Sequence, residues 1–170
     1  MLAILSMPEP IAFVFTEEQR QRARAEALRR QTLNERQCRK SRNNGGEKAE
    51  KGELALRYHL LGAAGEMAVA SYLDIEHELF KDEEARRDSD DLPGIDVKTR
   101  SNHRHDLIVQ RGSNPQKKFV LVTIENQQTL LRGWCYGYEA MQERFWADPA
   151  RGRPAYFVAQ DNLRPMETLE

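Results

Sequence analysis

Apolar and polar residues alternate from Ile95 to Thr99, the period of a half-buried strand with Ile95 and Val97 turned into a core. Asp106 to Gln110 reads as another strand. Lys118 to Ile124 is nearly all apolar, which predicts a strand buried on both faces. Arg111 to Pro115 is the turn between them. Leu130 to Tyr136 predicts a further strand, Tyr138 to Trp146 a short helix with Tyr138, Met141 and Phe145 inward, and Ala155 to Ala159 a strand that closes the sheet. Upstream the period changes. Glu17 to about Arg42 lacks Gly and Pro, opens on a capping box at Thr16 and Gln19, and predicts a helix with only Ala23, Ala27, Leu28 and Leu33 as a packing stripe. From Glu47 to about Leu73 a second helix is expected, with Leu54, Tyr58, Leu61, Gly65, Ala68 and Tyr72 on one face. Its small residues Gly62 to Gly65 suit a backbone lying close against a sheet. Ile11 to Phe15 is a strand or an anchoring arm, and Glu78 to Phe80 a short strand.

Asn43-Asn44-Gly45-Gly46 divides the chain into an arm with a basic helix, 1–46, and a core, 47–170. The overall expectation is an α/β (α+β) fold with a central mixed sheet flanked by helices.

Charge modifies this picture. The formal net charge is -1, yet Arg20 to Arg42 holds nine Arg or Lys against two Glu, and Asp74 to Asp91 holds nine acids against three bases. Lys98 to Lys118 is basic again, with six bases against one acid. Basic surface on both sides of an acidic pocket suits a polyanion brought to a metal site. The basic helix is expected to project, to pair with another chain (a second copy or a protein partner), or to lie along a polyanion. No apolar run is long enough to span a membrane, and the opening MLAILSMPEPIAFVF lacks a basic start and is broken by Pro8 and Pro10, so it does not read as a signal peptide. Cys38 and Cys135 lie far apart and form no zinc pattern. A reduced, cytoplasmic protein is the expectation.

The candidate chemistry lies in DDLPGIDVKTR, Asp90 to Arg100. With Ile95 and Val97 inward, Asp96 and Lys98 emerge together on the other face, and the turn at Pro93 and Gly94 brings Asp91 back towards Asp96. Two carboxylates and a lysine at one strand edge can hold a hard divalent cation and position a water beside it. Crowded acids of this kind are expected to repel one another while no cation is bound.

A helix whose packing face ends in a Glu, then a hairpin carrying Asp and Asp-x-Lys, then a buried strand, resembles the PD-(D/E)xK nuclease superfamily. GAAGEMAVASYL, DLPGIDVKTR, LVTIEN, LRGWCYGYEAM and AYFVAQDNLRPM are similar to a group of small phage and bacterial proteins assigned to it. The resemblance covers about Leu61 to Leu169. It implies a restriction-endonuclease-like core in which Glu66 is the helix acid, Asp91 the first motif acid, Asp96 the second and Lys98 the motif lysine. Leu92-Pro93 follows the first Asp, whereas the motif's name puts Pro before it, so Asp90 is the alternative to Asp91.

The implied activity is Mg²⁺- or Mn²⁺-dependent hydrolysis of DNA phosphodiesters in a bacterial or phage-infected cell. Asp91, Asp96, the Val97 carbonyl and Glu66 would hold the metal, and Lys98 would orient water and neutralise charge on the scissile phosphate. Arg100, Arg104, Arg111, Lys117 and Lys118 would hold flanking phosphates. The rival expectations are a non-catalytic DNA-binding protein on the same fold and a phage protein-binding module acting through the long helix. A calcium loop at Asp82 to Asp91 fails on ligand spacing.

Overall fold

The computed structural model describes residues 8–36, 52–75 and 90–170. The expected strand at 78–80, the boundary at 43–46, the starts and ends of helix placed in 37–51, and Cys38 lie outside them. By internal contacts the chain falls into two compact units, Phe15–Ser89 and a second made of Met1–Val14 with Asp90–Glu170. No helix among the described residues is long and apolar enough to cross a membrane.

The first unit is a helix pair, α1 (Glu17–Arg36) and α2 (Glu53–Tyr72). The capping box forms as expected. Thr16 N–H donates to Gln19 Oε1 at 2.9 Å and Gln19 N–H to Thr16 Oγ1 at 3.2 Å, while Glu17 and Glu18 in the first turn complement the helix dipole. Gln19 reaches Ser71, and Asn34 reaches His59, so the helices run antiparallel.

The predicted stripes are only partly the buried ones. Ala23 and Ala27 are buried, but Leu28, Leu54 and Tyr58 are exposed. Small residues bring the helices close, with Ala23, Ala63 and Met67 at the contact and Phe15 and Leu60 beside them. At that separation the space between the helices takes a charged network. Glu26 is 0% exposed, accepts from Arg29 Nε at 2.9 Å and from Arg30 Nε at 2.6 Å, and Arg30 extends a two-pronged bond to Glu66 at 2.8 and 2.6 Å. At Gly62 the close neighbour is α1 rather than a strand, since a Cβ there would stand 3.5 Å from the Arg30 guanidinium.

The second unit is β1 (Ile11–Phe13), β2 (Ile95–Arg100), β3 (Leu107–Val109), β4 (Lys118–Glu125), β5 (Gln128–Tyr136), α3 (Gly137–Ala140), β6 (Trp146–Ala147) and β7 (Ala155–Val158). Ile11–Phe13 is thus a strand. The expected single sheet is two. One is mixed, in the order β1-β5-β4-β2 with β2 parallel to β4, and the other is antiparallel, β3-β7-β6. The strand at 155–158 therefore pairs with β3 and β6 instead of closing the first sheet.

The reason is burial between layers. Phe119 and Leu121 of β4 and Cys135 of β5 need an apolar cover, and Leu107, Val109 and Val158 of the second sheet join them in one cluster with Ala140 and Leu163. The helix expected over 138–146 is shorter, because Met141 leaves helical geometry and Gln142 is extended; a single 3-10 turn, Glu143–Phe145, follows. Tyr138 is accordingly exposed, whereas Met141 and Phe145 pack on the cluster as expected. Gly133 is required where β5 passes residue 164, since a Cβ there would lie 2.6 Å from the Arg164 carbonyl oxygen. The thiol of Cys135 is buried and its pKa pushed up to about 12, first by burial and then by Glu139 against Arg164, so it serves packing.

Candidate active site

Among the described residues strand β2 lies at the edge of its sheet, and its first residues carry the acids. Leu92, 1% exposed, anchors a tight turn in which Leu92 and Ile95 exchange backbone hydrogen bonds at 3.1 and 2.9 Å. Pro93 presets the turn and Gly94, at φ 70°, completes it in a conformation that side chains disfavour. Ile95 and Val97 are buried, and Asp96 and Lys98 leave the opposite face, as the alternation predicts.

The turn draws both preceding acids onto the strand. Gly94 N–H donates to Asp90 Oδ2 at 2.9 Å, and Val97 N–H donates to Asp91 Oδ2 at 2.7 Å. The N–H and C=O of one strand residue leave the same edge, so the Val97 carbonyl exits on the side that Asp91 approaches. Lys98 Nζ donates to Asp96 Oδ1 at 2.6 Å.

Lys117, expected among the phosphate contacts, belongs to this cluster. It precedes β4, whose Lys118 lies opposite Ile95, and its ammonium sits 2.5 Å from Asp90 Oδ1 and 4.0 Å from Asp96 Oδ2. Burial by itself would lower the Lys117 pKa; Asp90, Asp96 and Asp91 together raise it. The acids are thus not an uncompensated like-charge group. Two ammonium groups share them, which corrects the expectation of mutual repulsion.

The other expected residues are distributed as follows. Glu66 lies in the helix-pair unit, 8% exposed, with both oxygens on Arg30; burial alone would lower the guanidinium's pKa, and Glu66 with Glu26 more than reverses this. Arg100 is half-buried at the far end of β2, and Arg104 is exposed. Arg111 lies over the Trp146 ring at 5.5 Å. Lys118 donates to the Glu170 backbone oxygen and covers the Trp134 ring at 5.7 Å.

Among the described residues no group of three or more His, Cys, Asp or Glu has metal-holding geometry. Two carboxylates and a carbonyl are nonetheless hard oxygen donors, and Mg²⁺ is commonly held by one or two carboxylates with water in the remaining positions. The donor chemistry at Asp91, Asp96 and Val97 fits such an ion.

A second polar group stands at the opposite end of β2, where Arg100, expected among the phosphate contacts, is joined by residues that were not expected: His103, His105, Thr123, Arg132 and Gln160. Two signals were readable, namely a Thr inside the apolar run 118–124 and an Arg inside LLRGWCY. Compared with models of known families, with curated proteins and with solved structures, the chain matches none.

Proposed function

We propose that this protein is a metal-dependent phosphodiesterase acting on DNA, with its site at the start of β2. The observation that carries the reading is the contact between Lys98 Nζ and Asp96 Oδ1 on a strand whose Val97 N–H already holds Asp91. Asp91, Asp96 and the Val97 carbonyl would hold Mg²⁺ or Mn²⁺, which when bound polarises a phosphate oxygen and lowers the pKa of water.

The chain's own groups do the rest. Asp91 is fixed against the strand by the Val97 N–H. Lys117 keeps Asp90 in place and stands near Asp96 Oδ2, which orients the second acid. Lys98, about one-third exposed, can turn from Asp96 to a phosphate oxygen and neutralise charge that develops there. Glu66 has both oxygens on Arg30 and enters this proposal as part of the helix pair, not as a ligand.

Linear, circular and single-stranded DNA incubated with the protein in Mg²⁺, Mn²⁺ or EDTA tests the reading. Cleavage that needs the metal and disappears in Lys98→Ala supports it. No cleavage of any substrate, or full cleavage by folded Lys98→Ala, removes it.

A further inference from the structure

The far end of β2 has a different chemistry. Arg100 lies opposite Thr123 in the parallel β2–β4 pair and shares its face with Asp96, about 13 Å along the strand at ~3.3 Å per residue. Thr123 is 0% exposed, and its Oγ1 meets two nitrogens, Arg132 Nε at 2.9 Å and His103 Nδ1 at 2.8 Å.

Arg132 reaches it through a bulge. Leu121 pairs with Gly133 and Val122 with Leu131, so Arg132 is the extra residue of β5 and its side chain is turned onto Thr123. The loop after β2 is fixed from above by Gln160, whose Nε2 donates to the carbonyls of His103 and His105, each at 2.9 Å.

Arg132 Nε can only donate, so Thr123 Oγ1 accepts from it. His103 Nδ1 is in reach of the same hydroxyl, and in the tautomer that accepts the hydroxyl proton the imidazole N–H is at Nε2. His103 Nε2 is buried and has no partner among the described residues; the same holds for Arg100 Nε, again only a donor, and for His105 Nδ1. A buried donor left unpaired destabilises the fold unless a ligand or water supplies an acceptor.

The charges are open as well. Neither Arg100 nor Arg132 forms an ion pair among the described residues, and burial lowers the pKa of both, with Asp106 opposing it at Arg100 and Glu125 at Arg132. Those two acids temper the positive field without pairing with either guanidinium, and Glu125 Oε2 is engaged by the His103 N–H at 3.1 Å. His105 has its pKa lowered, by burial and then by Arg100, against Asp106 and Glu125. It adds no cation at neutral pH.

The geometry points to a binding site for a tetrahedral oxyanion, a phosphate group, held by Arg100, His103 and Arg132 at the carboxyl ends of β2 and β4. A phosphate supplies acceptors to the orphaned donors and a counter-charge to two half-buried guanidiniums, which water supplies only in part. The carboxyl ends of parallel strands are also where open α/β sheets accept ligands. The inference goes beyond hydrolysis at Asp96 and does not depend on it.

The test follows the arginine Nε–H resonances of the wild-type protein during titration with inorganic phosphate, chloride replacing it at constant ionic strength, and separately with a short single-stranded oligodeoxynucleotide. Saturable movement of the Arg100 and Arg132 signals is expected, with apparent affinity about tenfold weaker in Arg132→Gln and unchanged in Arg144→Gln. Movement with phosphate alone identifies a free phosphate as ligand; movement with the oligonucleotide at lower concentration identifies a nucleic-acid phosphate. No movement with either, linear movement that never saturates, or equal weakening in Arg144→Gln overturns the site. The wild-type titration decides even if Arg132→Gln fails to fold. Phosphate binding without DNA cleavage keeps this site and removes the one at Asp96, and cleavage without saturable binding does the reverse.

Discussion

Glu66 and Asp96 are both acids beside basic groups, but their surroundings give them different work. Glu66 is met by a planar guanidinium that bonds both oxygens and also bonds the buried Glu26. Asp96 is met by two lysines, point charges on flexible stems, one bonded at 2.6 Å and the other at 4.0 Å. A bidentate fork between buried partners is held by two directional bonds at once, whereas a partly exposed ammonium can exchange a carboxylate for a phosphate. One arrangement fixes helix packing. The other can let go, as the proposed hydrolysis requires.

The largest expected effect tests the fixed side. Arg30→Ala removes the guanidinium that bridges Glu26 and Glu66, and loss of one partner from a buried pair costs about 3–5 kcal/mol. Denaturant unfolding should show that loss. A change below about 1 kcal/mol, the size of an exposed pair, would mean that water reaches the network and that the contrast with Asp96 is false.

Next is the exchangeable side. Lys98→Ala should leave the fold intact and lower the rate of DNA cleavage by about 10²–10³-fold, the usual effect of removing one transition-state donor. Matched melting curves with unequal cleavage rates would show that Lys98 acts on substrate. Matched rates would return it to surface pairing.

Asp96→Asn gives a smaller effect, whose sign depends on metal. Without metal the substitution removes a partner of Lys98 and Lys117, so the variant should unfold about 0.5–1 kcal/mol more easily, as for a partly exposed ion pair. Mn²⁺ should widen the gap, because only the wild type gains from binding in the native state. If Mn²⁺ raises both melting temperatures equally, Asp96 is not a ligand.

These contrasts were unequally legible in the sequence. Strands β2, β4 and β5 follow from alternation and from a continuous apolar run, and the Asp96–Lys98 pairing follows from period two. The Asp90–Asp91 turn was readable from Pro93 and Gly94. Lys117 was not, because only the parallel register Ile95 to Lys118 places it beside the acids, and register between distant strands leaves no local mark. The β3-β7-β6 sheet was unreadable for the same reason.

The helix pair misled in another way. Of the apolar stripes, Ala23, Ala27 and Ala68 are buried as expected, but Leu28, Leu54 and Tyr58 are exposed, and a glutamate at 0% exposure lies inside. Hydrophobic periodicity cannot detect a buried charge network. The β4–β5 hairpin also turns on Asn126 and Gln127, both at positive φ, and only the Asn is a usual choice there.

The smallest effect separates fork geometry from burial. Arg164 and Glu139 form a fork like that of Arg30 and Glu66, with contacts of 2.5, 3.1 and 3.2 Å, but the two side chains are 44% and 29% exposed. Burial alone would raise the Glu139 pKa; the Arg164 bond, the Tyr136 N–H and the Arg164 charge together depress it below the ordinary value of 4.5. A depressed carboxylate stabilises the fold above its unfolded pKa, and that contribution is lost as pH falls through the folded value. Wild-type stability should therefore fall below pH 4.5 by an amount that Glu139→Gln abolishes, and with this exposure the difference should stay under about 1 kcal/mol. Unfolding of both proteins between pH 6 and pH 3 measures it. A loss as large as that in Arg30→Ala would show that the fork, and not its burial, sets the strength of both pairs.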